Sequence, residues 1–136
     1  MRTKLKPDIL QADRLAREFV LERDGYRCQV CGRSRDLEWA HIITRGMGGG
    51  NRHLRWDPDN AVTLCHPDHA YFTSVDSRTW RAWVAEHFGA DHWDGLKRRQ
   101  AEAERRGDKV DVAAVIAFYR ERLTPAESER YREGDW

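Results

Sequence analysis

The stretch Leu64-Cys65-His66-Pro67-Asp68-His69, LCHPDH in one-letter form, decides how the chain is read. It crowds a cysteine, two histidines and an aspartate together behind an apolar lead. Far upstream, Cys28-Gln29-Val30-Cys31 has the look of a matching half. Two cysteines three apart on a turn can aim both sulfurs at one ion, and zinc takes four ligands in a tetrahedron with thiolate favoured. A second Cys-x-x-Cys would need cysteine at position 68, where Asp68 stands. Three readings follow for the fourth ligand. Asp68 oxygen closes the site from the position of the missing thiolate, His66 closes it instead, or neither does. A Cys-x-x-Cys can also be a redox pair, but no βαβ pattern surrounds this one.

Outward from these residues, the composition is that of a folded chain rich in solvated helix. Of 136 residues, 40% are apolar and 35% charged. That length suits one domain, 1–136, with one modest core. No run approaches the roughly 18 apolar residues that suggest a membrane span. The start, MRTKLKPDILQADR, lacks the apolar segment of a signal peptide, so the expected compartment is the cytoplasm, where disulfides are rare. Net charge is only +1, but residues 1–35 carry nine Lys/Arg against five Asp/Glu. Any nucleic-acid contact would therefore be a local patch beside Cys28 and Cys31, the alternative being a solvated helix face.

Periodicity places the elements. Ala12, Leu15, Ala16, Phe19 and Val20 recur at helical spacing, predicting a helix over residues 8–23 that Asp24-Gly25 stops. LEWAHII (37–43) and AVTLC (61–65) are short apolar runs suited to strands. Between them lie a glycine-rich loop, RGMGGGNRH (45–53), expected to be mobile or shaped around a ligand, and a DPDN turn (57–60). Pro67 suits a first helical turn, so a helix should start near 66–68 and carry His69. Trp80, Trp83, Val84, His87 and Phe88 form one apolar stripe, and Val112, Val115, Ile116, Tyr119 and Leu123 another. The charged run 96–109 reads as an exposed helix ended by Gly107. Thr124-Pro125-Ala126-Glu127 has the form of a capping box.

The ordered runs ADRLAREFVLERDGYRCQVCGR (12–33), LEWAHIITR (37–45) and RWDPDNAVTLCHPDHAYFT (55–73) resemble the HNH endonucleases, most closely the small phage-type members. The resemblance spans about residues 12–75, as a core, with a helical extension over 76–136. It implies an α+β fold: a ββα-metal motif with a structural zinc site, flanked by an N-terminal helix and several C-terminal helices. It implies His41 as the general base that activates water, Asn60 as the residue orienting that histidine, and His69 as ligand of a catalytic divalent cation. Magnesium or manganese, with nickel or zinc as further candidates, would serve as that ion, and double-stranded DNA would be the substrate. A bacterial or phage-infected host cell would be the setting, and a monomer the simplest state.

The chain departs from the family at two positions. Many members carry an aspartate or histidine just before the general base as a second metal ligand, whereas here the residue is Ala40. Water and phosphate could complete the shell of a hard cation, and His66, one turn from His69, is a further candidate ligand. At position 68 the resemblance sharpens the first puzzle, since the family's second cysteine pair reads Cys65-x-x-Asp68. Arg45 and Arg55 flank these residues as candidate phosphate contacts. The alternative for Arg55 is a salt bridge to Asp57 or Asp59. Trp39 and Trp56 are expected in the core. The competing functional reading is a non-catalytic, zinc-stabilised DNA-binding module.

Overall fold

The computed structural model describes residues 6–44 and 52–123. Arg45, most of the glycine-rich loop and the Thr124–Glu127 capping box fall outside them. Helix α1 runs Pro7–Arg23, with proline and Asp8 in its first turn and Arg23 in its last, each suited to the local backbone and dipole. Its inward face is Ala12, Leu15, Ala16, Val20 and Leu21. Gly25, at φ +70°, turns the chain out of the helix.

Two strands follow, β1 (Leu37–His41) and β2 (Ala61–Cys65), paired antiparallel with Leu37 opposite Cys65 and His41 opposite Ala61. β1 stops two residues short of the expected 43. Beyond His41 the backbone is taken over by Asn60, whose carbonyl accepts from the Ile42 N–H and whose side chain accepts from the Ile43 N–H. Ile42 and Ile43 stay fully buried, which is why the sequence signal ran on past the ladder.

Helix α2 (His66–Ser74) leaves β2 directly, with Pro67 in its first turn. Helix α3 (Ser77–Phe88) is capped by Asp76, which accepts from the Thr79 N–H at 2.9 Å. Helix α4 (His92–Arg106) begins earlier than the charged run suggested and ends, as expected, at Gly107 in the left-handed conformation. Helix α5 (Val112–Arg122) is capped by Asp111. Among the described residues this is a small α+β fold, a two-stranded sheet with five helices. None of these helices is long and apolar enough to cross a membrane.

Two apolar clusters hold it. One joins Ile42, Ile43, Leu54, Val62 and Leu64 to Trp80, Val84 and Leu96 of α3 and α4. Trp80 also donates its indole N–H to the Ile42 carbonyl at 2.8 Å, which fixes α3 against the end of β1. The other joins α1 to α5 through Leu15, Tyr119 and Leu123, with Trp56 between them. Trp56 is thus a core residue, while Trp39 is only half-buried. In the α3 stripe Trp80 and Val84 are buried, but His87 is exposed and stacks on Trp83.

Candidate functional site

The two cysteine-bearing turns meet. The tight turn from Cys28 to Gly32, closed by the Gly32 N–H on the Cys28 carbonyl, lies against the end of β2 and the start of α2. Cys28, Cys31 and Cys65 sulfurs and an Asp68 oxygen all lie within 4.8 Å of one another and could hold a metal ion. Asp68 Oδ2 is 3.2 Å from both Cys28 Sγ and Cys65 Sγ, and Cys31 Sγ is 3.7 Å from Cys65 Sγ. Burial works against ionisation of Asp68, but hydrogen bonds from Cys65, Cys28 and Cys31, with the Arg33 charge, hold its carboxyl below the usual range. Burial pushes the Cys65 thiol up to about 12, with its contacts to Asp68, Cys31 and Cys28 adding to the rise. A cation bound here would have to displace that proton. Three thiols and one carboxylate suit a four-coordinate, borderline-soft ion.

His66 is not part of this group. Its side chain is 71% exposed and its Nδ1 lies 2.9 Å from Glu38 Oε2. The ring is thus engaged on the sheet side of α2, away from the sulfurs, which corrects the reading of His66 as the fourth ligand.

His41 and His69 open onto one cleft. It encloses about 280 Å³ and is lined also by Thr44, Phe72, Thr73, Val75, Ser77 and Trp80. His41 Nε2 is 2.9 Å from the Arg55 carbonyl. A carbonyl only accepts, so Nε2 carries the proton and Nδ1 is left as a free base. Burial holds the His41 pKa below its ordinary value, reinforced by the Arg55 and His69 charges and opposed by the Arg55 carbonyl and by Asp13. The imidazole is therefore neutral at neutral pH. Its ring lies 4.4 Å from that of Trp39.

His69 has the complementary tautomer. Its Nδ1 is 2.8 Å from Glu38 Oε1, so a carboxylate takes that N–H, and in the neutral ring Nε2 is the nitrogen left with a lone pair. Hydrogen bonds from His69, then His66, keep the Glu38 carboxyl below its usual range against the effect of burial. The sequence reading missed Glu38. It sits within the LEWAHIITR run without a role of its own there, and its partners lie some thirty residues away. Ala40 is buried in the apolar cluster and offers no ligand. Among the described residues the cysteine–aspartate group is the one set of three or more close His, Cys, Asp or Glu ligands.

Asn60 does not touch the His41 ring. Fully buried, it accepts from the Ile43 N–H at 2.8 Å and donates to the Ile43 and Leu54 carbonyls at 3.2 Å each. Its bonds join the backbone just after His41 to that just before Arg55. The direct contact of the His41 ring is the Arg55 carbonyl. The Arg55 guanidinium forms a fork on Asp13 of α1, at 3.0 and 2.7 Å, and Asp13 also accepts from the Trp56 indole at 2.8 Å. Arg55 is therefore neither a free phosphate ligand nor a partner of Asp57 or Asp59, which Arg99 takes instead. Comparison with protein-family models, with curated proteins and with solved structures gives no match.

Proposed function

We propose that the chain is a metal-dependent DNA endonuclease of the HNH type, hydrolysing phosphodiester bonds on a ββα-metal motif tied by a structural zinc. The observation that carries this reading is the pair of histidines on one cleft, each held in a defined tautomer with one nitrogen free. His41 Nδ1 is the general base: neutral, half-buried and steadied through Nε2 on the Arg55 carbonyl. It would take the proton of a water attacking phosphorus. His69 Nε2 is the protein ligand for the catalytic divalent cation. Bound there, magnesium, manganese, nickel or zinc would supply positive charge for the phosphoryl oxygens and the departing oxygen. Asn60 ties the backbone after His41 to that before Arg55 through Ile43 and Leu54. Cys28, Cys31, Cys65 and Asp68 would hold zinc and fix where α2 begins. Double-stranded DNA is the proposed substrate, met largely through its backbone, so affinity should fall with salt.

The test is plasmid cleavage with each of magnesium, manganese, nickel and zinc. His41→Ala should lower cleavage by about 10²–10⁴-fold, the usual worth of a general base, with fold and DNA binding retained. Absence of cutting by the zinc-loaded wild type with every ion would sink the proposal. A second reading, a non-catalytic zinc-stabilised DNA-binding module, draws on Ala40, whose methyl group packs in the core where many HNH enzymes place a metal ligand. It predicts salt-sensitive DNA binding without cleavage.

A further inference from the structure

Glu38 stands on β1 opposite Leu64, on the strand face that also carries Ala40. Both of its oxygens are in use. Oε1 lies 2.8 Å from His69 Nδ1 and Oε2 lies 2.9 Å from His66 Nδ1. The two histidines are three apart on α2, hence neighbours on one side of the helix. We propose that Glu38 is a positioning residue for His69: its carboxylate fixes the imidazole with Nε2 turned out as the metal-binding nitrogen, and His66 clamps the second carboxylate oxygen so that the group cannot rotate away. The inference rests on the reading of His69 as ligand of the cleft cation.

The physical argument is direct. An ionised carboxylate accepts and never donates, so each histidine must present N–H at Nδ1, and in the neutral ring the lone pair is then on Nε2. A carboxylate behind a ligating histidine also raises the basicity of the ligating nitrogen. This support carries extra weight here. With alanine at position 40, His69 lacks a second ligand from the adjacent strand, and its own alignment decides how well a cation is held. The arrangement also gives His66 a role other than ligand. A single hydrogen bond leaves a carboxylate free to swing, while one on each oxygen fixes its plane.

The test uses the zinc-loaded full chain with ¹⁵N-labelled histidine. Long-range ¹H–¹⁵N spectra should show His69 as the Nδ1–H tautomer in the wild type. Glu38→Ala should lose that preference, and Mn²⁺ binding at the cleft, read from broadening of the His69 signals, should weaken by about 10–100-fold. Glu38→Gln retains an acceptor oxygen and should restore the tautomer, which also covers the case in which Glu38→Ala fails to fold. His66→Ala should keep the tautomer and weaken Mn²⁺ by less than Glu38→Ala does. A wild-type His69 bearing its proton on Nε2, or a tautomer and Mn²⁺ affinity unchanged in Glu38→Ala, would overturn the assignment. The two readings fail separately. An unchanged tautomer with plasmid cleavage intact removes Glu38 alone. A tautomer lost in Glu38→Ala while the wild type cuts no DNA supports the positioning role and removes the nuclease.

Discussion

Two histidines meet across the cleft by different routes, and each has its own observable. His41 sits in a desolvated position that disfavours its charged form. Its pKa is therefore below the ordinary 6.5, and the acid limb of any cleavage profile should fall below that value. The sign for stability follows. Between the depressed folded pKa and 6.5 the unfolded chain binds more protons, so this group's contribution is present above 6.5 and is lost as pH falls through the folded pKa. A cleavage profile whose acid limb lies above 6.5 would contradict the geometry. Asn60 predicts a stability effect. Asn60→Ala removes three buried hydrogen bonds, to the Ile43 N–H and to the Ile43 and Leu54 carbonyls, each worth about 0.5–1.5 kcal/mol net. A loss of at least about 2 kcal/mol in urea unfolding is expected. At this scale the ordered runs drew attention to His41 and His69, which do share a cleft, but not to the partners of Asn60, which are Ile43 and Leu54 and not the His41 ring. The sequence was silent where the partner is distant. Nothing local in Arg55 announces Asp13, 42 residues earlier, or its carbonyl's part in holding His41.

At the scale of elements, α2 begins inside the cysteine–aspartate group. If this group holds the proposed zinc, Asp68→Ala should weaken its binding by at least about tenfold, the order that even an outer partner of a metal ligand is worth. His66→Ala should leave zinc stoichiometry intact, since its ring faces Glu38. Metal analysis of both purified variants checks the pair. Retention of full zinc affinity by Asp68→Ala would reject the carboxylate as fourth ligand. The elements themselves read well from sequence. β2 was legible residue for residue, because five consecutive buried positions follow a turn and precede a proline. α1 was out by one residue. The end of β1 was not legible, because Ile42 and Ile43 are as apolar as strand residues but spend their backbone bonds on Asn60 and Trp80.

Across the whole molecule, the sheet and its cleft are buttressed by a second cluster that never touches substrate in the proposed reaction. Tyr119 of α5 donates its hydroxyl to the Trp56 carbonyl, next to the Arg55 carbonyl that steadies His41. Tyr119→Phe should cost about 1–3 kcal/mol by stranding that buried acceptor. Leu15→Ala, in the same cluster, should cost about 2–5 kcal/mol. Both are read from shifts of the urea midpoint. The packing of α5 on α1 could be suspected from the two apolar stripes. Its link to the cleft could not, since it runs through one side-chain hydroxyl across 63 residues. A different kind of dependence lies in α2. Asp68 and His69 are consecutive, yet one faces the sulfurs and the other faces Glu38. Neighbouring residues on a helix point about 100° apart, so a single helical start serves as a hub with two spokes. Emptying the sulfur cage would let that hub turn, and the His69 spoke would come out of alignment along with the Asp68 one. If the chain is the proposed nuclease, chelation should thus abolish cleavage even when magnesium is restored in excess.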